Sequence, residues 1–106
     1  MRRFFTKRKL KKIEKDPNTN VIVSNFHGVN WREKLTLPIF VVYRGPIDFP
    51  ANYVVRLFDG KKPLRLVAVK NTLDEARAAI QQGPPFVFSM IPRFENDDPK
   101  IVETWL

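Results

Sequence analysis

The clearest hydrophobic pattern begins after Pro38. Ile39-Phe40-Val41-Val42-Tyr43 is an unbroken β-prone run, long enough for a central strand. Gly45-Pro46 ends it, and Asp48-Phe49-Pro50-Ala51-Asn52 completes a loop. Tyr53–Phe58 then alternates. Tyr53, Val55 and Leu57 fall on one face, Val54, Arg56 and Phe58 on the other. Asp59-Gly60 reads as a hairpin turn, because both residue types tolerate positive φ. Lys61-Lys62-Pro63 is expected to widen that turn before a third strand, Leu64–Val69.

The spacing then changes from strand to helix. Thr72-Leu73-Asp74-Glu75 matches a capping box, in which the Thr72 hydroxyl accepts from the Glu75 amide and Glu75 reaches back. Asp74 and Glu75 suit the positive end of the helix dipole. Leu73, Ala76 and Ile80 share one face. Gly83 suits a left-handed cap and Pro84-Pro85 forbid continuation, so the helix is predicted over 72–82. Phe86–Ile91, closed by Pro92, is the fourth strand. Phe94–Pro99 is an acidic loop, and Ile101–Trp105 is the last strand. There Ile101, Glu103 and Trp105 share one face.

The order β-β-β-α-β-β predicts an α+β domain over residues 37–106. It is a small antiparallel sheet of about five strands with one helix packed on one face. The second and third strands, and the fourth and fifth, are expected as hairpins. Ahead of Pro38 the pattern is weaker. Residues 17–36 read as a linker or partly packed segment. Within it Val21-Ile22-Val23 suits a short strand, Phe26, Trp31 and Leu35 can pack on the domain, and Asn30 can cap a turn through Lys34. Residues 1–16 read as a basic tail. It is expected as a frayed helix or disordered chain until a partner binds, because adjacent like charges oppose helix formation.

Charge sharpens this division. Residues 1–36 hold ten Lys/Arg against three acids, whereas 37–106 hold nine against eight. The net charge of +8 therefore belongs almost wholly to the first third, and the rest of the chain is nearly neutral. Arg2, Arg3, Lys7, Arg8, Lys9, Lys11, Lys12 and Lys15 form the candidate nucleic-acid-binding set. A run of this kind attracts phosphates by counterion release and needs no precise geometry. Phe4 and Phe5 beside it can stack on bases or anchor a helix on an anionic membrane. An acidic protein partner and an import-signal role fit the same run.

Candidate chemistry is sparse. Without cysteine there is no disulfide, thiol nucleophile or Cys-based zinc site, which fits a reducing compartment. No apolar run approaches the roughly 20 residues of a membrane helix, and no apolar segment follows the basic start as a secretory signal would require. The expected location is cytoplasmic, with no integral membrane association. His27 is the sole histidine, so one chain offers no two-His metal site, and no motif directs it to Ser24. Glu95, Asp97 and Asp98 can in principle bind Mg²⁺, but their spacing is not that of an EF-hand, and a solvated turn is the simpler reading. No phosphate-binding glycine loop occurs. No metal or other cofactor is expected. Tyr43, Tyr53, Arg56 and Phe58 offer an aromatic–basic platform, although aromatics in so small a domain usually belong to the core.

VVYRGPIDFPANYVVRLF (41–58), NTLDEARAAI (71–80) and IPRFENDDPKIVETWL (91–106) resemble small bacterial or phage-borne domains of unknown function. The resemblance covers about residues 41–106. It implies a strand, a Pro-containing loop, a capped helix and a final strand ending in Trp, and it carries no catalytic residue. The combined expectation is a non-enzymatic binding protein that contacts RNA or DNA through its tail. The alternative is a protein-interaction or inhibitor module of a phage or mobile element, acting through a sheet edge or aromatic surface.

Overall fold

The computed structural model describes residues 20–81 and 88–106. They form β1 (Val21–Ile22), α1 (Trp31–Lys34), β2 (Pro38–Arg44), β3 (Tyr53–Asp59), β4 (Lys62–Lys70), α2 (Leu73–Ile80), β5 (Met90–Pro92) and β6 (Ile101–Trp105). The class is α+β, as expected. The sheet has six strands in the order β1-β4-β3-β2-β6-β5. It is mixed, because β1 runs parallel to β4 while every other pair is antiparallel. The expected all-antiparallel sheet is corrected by this edge strand. Val21 lies opposite Leu66 and Ile22 opposite Val67. The backbone continues the pairing with a Val23 N–H to Val67 carbonyl bond of 2.8 Å.

β2 sits between β3 and β6, as its continuous apolar run demands. On the helix side, Phe40, Val42, Val55, Leu57 and Ala68 meet Ala76, Ala79 and Ile80 of α2. Phe40 is fully buried, with the Phe26 and Phe88 ring centroids each 5.0 Å away. Residues 20–36 thus contribute a strand and Phe26 to the structure, and Trp31 and Leu35 pack against the same core. The Trp31 indole also donates to the Phe26 carbonyl at 3.0 Å.

Several local expectations change. The β3–β4 turn is not widened: Asp59 pairs with Lys62, leaving Gly60-Lys61 as a two-residue loop. Only Gly60 has positive φ, +61°, which matches a type II′ turn. Asp59 instead stays extended, and its carboxylate accepts from the Leu37 amide at 2.8 Å. Asn30 precedes α1 but makes no side-chain cap; its carbonyl accepts from the Glu33 and Lys34 amides. The fourth strand is shifted toward the carboxyl terminus and includes Pro92. An edge position lets it do so, since no ladder N–H is required there. Phe86 and Val87 lie outside the described residues.

The capping box is present. The Thr72 hydroxyl accepts from the Glu75 amide at 3.1 Å, and Glu75 reaches back to the Asn71 amide at 3.1 Å. α2 ends at Ile80, earlier than residue 82. Gln81 turns extended and accepts from the Phe88 amide through its side-chain oxygen. The proposed Gly83 cap and Pro84-Pro85 stop lie outside the described residues. Thr72→Ala should destabilise the fold by about 1 kcal/mol in urea unfolding. An unchanged midpoint would show that this cap contributes nothing.

One ion pair pins the helix to the sheet. Glu103 is only 3% exposed, on the helix side of β6. Arg77 of α2 grips it bidentately at 2.9 and 2.7 Å, and the Trp105 indole adds a bond of 2.9 Å. The Arg77 hydrogen bonds hold the Glu103 carboxyl below the ordinary glutamate range against the opposing effect of burial.

Candidate functional site

The second sheet face, away from both described helices, is the first candidate. Pair registers place Tyr43 beside Val54, Val41 beside Arg56, and Arg56 beside Val67. Phe58 follows on the same side of β3 by alternation. Arg56 crosses β4 to donate to the Leu64 carbonyl at 3.1 Å and to the Asn20 side chain at 3.0 Å. Asn20 in turn donates to Asp48 at 3.1 Å, and Asp48 lies 3.9 Å from the guanidinium. A recess of about 230 Å³ opens here between Tyr43, Pro46, Asp48, Val54 and Arg56.

Burial pushes the Tyr43 phenol above its usual range; Arg56 opposes the shift and Asp98 adds to it. The phenol is therefore a neutral hydrogen-bonding group at physiological pH. The expected four-residue platform is not one surface. Tyr53 pairs with Arg44 and packs toward the helix-side core, opposite Tyr43. Tyr43, Arg56 and Phe58 remain together. The split follows from the two-residue period of β3, which separates Tyr53 from Arg56.

A second candidate is an open cleft of about 450 Å³, where the carboxyl ends of parallel β1 and β4 meet the first turns of α2. Ser24, Asn25, His27, Lys70, Asn71 and Glu75 line it. Most of these polar groups already brace the loops. Asn25 accepts from the His27 amide, Asn71 accepts from Asn52, and Glu75 accepts from Asn71. The His27 Nε2 contacts the Ala78 carbonyl. That oxygen can only accept, so Nε2 carries the proton. Among the described residues no hydrogen bond joins His27 to Ser24.

The acidic loop is likewise occupied with its own shape. Asp97 accepts from the Phe94 amide and Asp98 from the Lys100 amide. The Arg93 guanidinium donates to the Asp97 and Asp98 carbonyls. Among the described residues no cluster of three His, Cys, Asp or Glu side chains is arranged to hold a metal. No described helix is long and apolar enough to cross a membrane.

Arg2, Arg3, Lys7, Arg8, Lys9, Lys11, Lys12 and Lys15 all lie outside the described residues. The described chain starts at Asn20, and Asn20 is tied to Arg56 on the second sheet face. The described chain therefore begins beside Arg56 and Asp48. Sequence alone groups Tyr43, Arg56 and Phe58 but does not bring Asn20 to Arg56. No family model, curated protein or solved structure matches this chain.

Proposed function

We propose that this is a non-enzymatic binding protein that takes RNA or DNA through its basic amino-terminal segment, with Arg2, Arg3, Lys7, Arg8, Lys9, Lys11, Lys12 and Lys15 as the phosphate contacts. The supporting observation is the placement of charge. Almost the whole excess of +8 lies before Asp16, ahead of the nearly neutral remainder of the chain. Phosphate recognition of this kind relies on released counterions and not on a shaped pocket, which suits a domain whose clefts are braced by their own hydrogen bonds. The kinship with small phage-borne or bacterial domains belongs to the same proposal.

The test keeps the full chain and replaces Lys7, Arg8, Lys9, Lys11 and Lys12 with Ser. Single-stranded and duplex polynucleotides are titrated by fluorescence anisotropy at about 0.1 M salt. Affinity should fall about a hundredfold or more, because several phosphate contacts are removed together. Equal affinity for the two proteins would overturn the reading.

A protein-interaction module is the second reading, and one observation favours it. Ile47 and Phe94 are 90% and 66% exposed, on loops that leave the sheet side by side. The Arg44 amide to Lys100 carbonyl bond of 2.8 Å ties the end of β2 to the start of β6, where those loops leave the sheet. The sheet edges offer less to a partner strand. β1 has two residues, and β5 has three including Pro92.

A further inference from the structure

We infer that the recess formed by β2, β3 and the loop that joins them is a nucleobase site, which takes an unpaired guanine by its Watson–Crick edge. Tyr43, Pro46, Asp48, Val54 and Arg56 line about 230 Å³ there. Pockets for drug-sized ligands run to about 300–1,000 Å³, so this one suits a single ring system and not a whole cofactor. Its lining divides by chemistry. Tyr43, Pro46 and Val54 offer ring and apolar surface, and Asp48 and Arg56 offer charged polar atoms.

Internal hydrogen bonds fix both charged groups without using all of their capacity. Arg56 donates through Nη1 to the Asn20 side chain and to the Leu64 carbonyl. Its Nη2 stands 3.9 Å from Asp48 Oδ2, beyond hydrogen-bond length. Asp48 Oδ2 accepts from Asn20 at 3.1 Å, and among the described residues no donor reaches Oδ1. A positioned donor therefore lies beside a positioned acceptor. A phosphate or an ammonium would each meet a like charge here. Asp98, close enough to raise the Tyr43 phenol, adds to the case against a phosphate. A neutral planar group with donors and acceptors on one edge avoids both conflicts. Guanine turns N1–H and N2–H side by side toward a carboxylate, with O6 next to them for the guanidinium. The other bases offer a carboxylate no such adjacent pair. Unpaired bases are held in this way, by hydrogen bonds to their edges and by packing on aromatic rings.

This inference deepens the nucleic-acid reading and rests on it only for the source of the base. The full chain is titrated with guanosine 5′-monophosphate, the other three ribonucleoside monophosphates and ribose 5-phosphate, and amide NMR shifts are followed. The Tyr43, Val54 and Arg56 amides should shift and saturate with the guanine nucleotide, while those of Ala76 and Ala79 in α2 stay in place. Asp48→Asn keeps an oxygen for Asn20 but loses one acceptor, and it should weaken the guanine nucleotide about tenfold or more. The chain with Lys7, Arg8, Lys9, Lys11 and Lys12 replaced by Ser should show the same three shifts, so the recess and the tail reading fail separately. No saturable shift at those amides, equal binding of all four nucleotides, equal shifts with ribose 5-phosphate, or unchanged affinity in Asp48→Asn would overturn the inference. So would loss of the shifts in the five-Ser chain, which would place the nucleotide on the basic segment.

Discussion

Phe40→Ala is expected to lower the unfolding free energy by about 3–5 kcal/mol. Phe40 has no exposed surface and stands between the Phe26 and Phe88 rings. Those rings come from the segment before β2 and the segment before β5, so Phe40 joins three distant parts of the chain. Truncation leaves a cavity that neither neighbour fills without abandoning its own contacts. A small domain holds only about 5–15 kcal/mol in total, so this variant should be largely unfolded in mild urea. Phe94→Ala is the control. Phe94 is 66% exposed, and its loss should cost less than about 0.5 kcal/mol. Similar urea midpoints for the two variants would contradict the assignment of the core.

Arg77→Ala is expected to cost about 3 kcal/mol at neutral pH. The loss arises mainly at Glu103, which stays buried and keeps only the Trp105 indole as a side-chain partner. Arg77 itself is 41% exposed and is readily hydrated when unpaired. In the parent protein the Glu103 carboxyl titrates below its unfolded value, chiefly because Arg77 hydrogen-bonds it. A depressed carboxyl contributes stability above its unfolded pKa and loses it as pH falls through the folded one. The gap between parent and Arg77→Ala should therefore be widest near pH 7 and shrink below about pH 5. Urea unfolding from pH 3 to pH 7 measures this directly. A gap that stays constant, or grows in acid, would show that the pair acts by packing and not by charge.

The ion pair also shows where sequence reading stops. Alternation puts Ile101, Glu103 and Trp105 on one face, but an irregularity opposite Val42/Tyr43 pairs Ile101 with Tyr43 and brings Val102 against the helix-side core, so Glu103 and Trp105 keep that face and Ile101 does not. A buried carboxylate needs a cation, so the pattern signals that a partner exists. Nothing local says that the partner is Arg77, 26 residues earlier on a helix. The same limit applies to β1. Val21-Ile22-Val23 reads as a strand from its composition, but its parallel place beside β4 is a long-range choice.

Local chemistry was far more readable. The continuous β2 run, the alternation of β3 and the Thr72 cap all depend on neighbours in sequence, and all three are where the pattern puts them. α2 ends at Ile80, short of the expected residue 82, because Gln81 turns extended and its side chain accepts from the Phe88 amide, a contact that local pattern does not announce. At the candidate site, Tyr43, Arg56 and Phe58 share a face while Tyr53 does not, as strand period alone dictates. The meeting of that face with Asn20 required the fold.

The proposed binding of a polyanion rests on phosphate contacts from the first 16 residues. Its most direct test is the dependence of polynucleotide affinity on salt for the full chain, from about 50 to 200 mM. With six or more phosphates neutralised, log K against log salt should have a slope of about −4 to −5 on single strands, and affinity should drop by about 250- to 1000-fold across that range. No binding at 50 mM, or a slope near zero, would contradict the account.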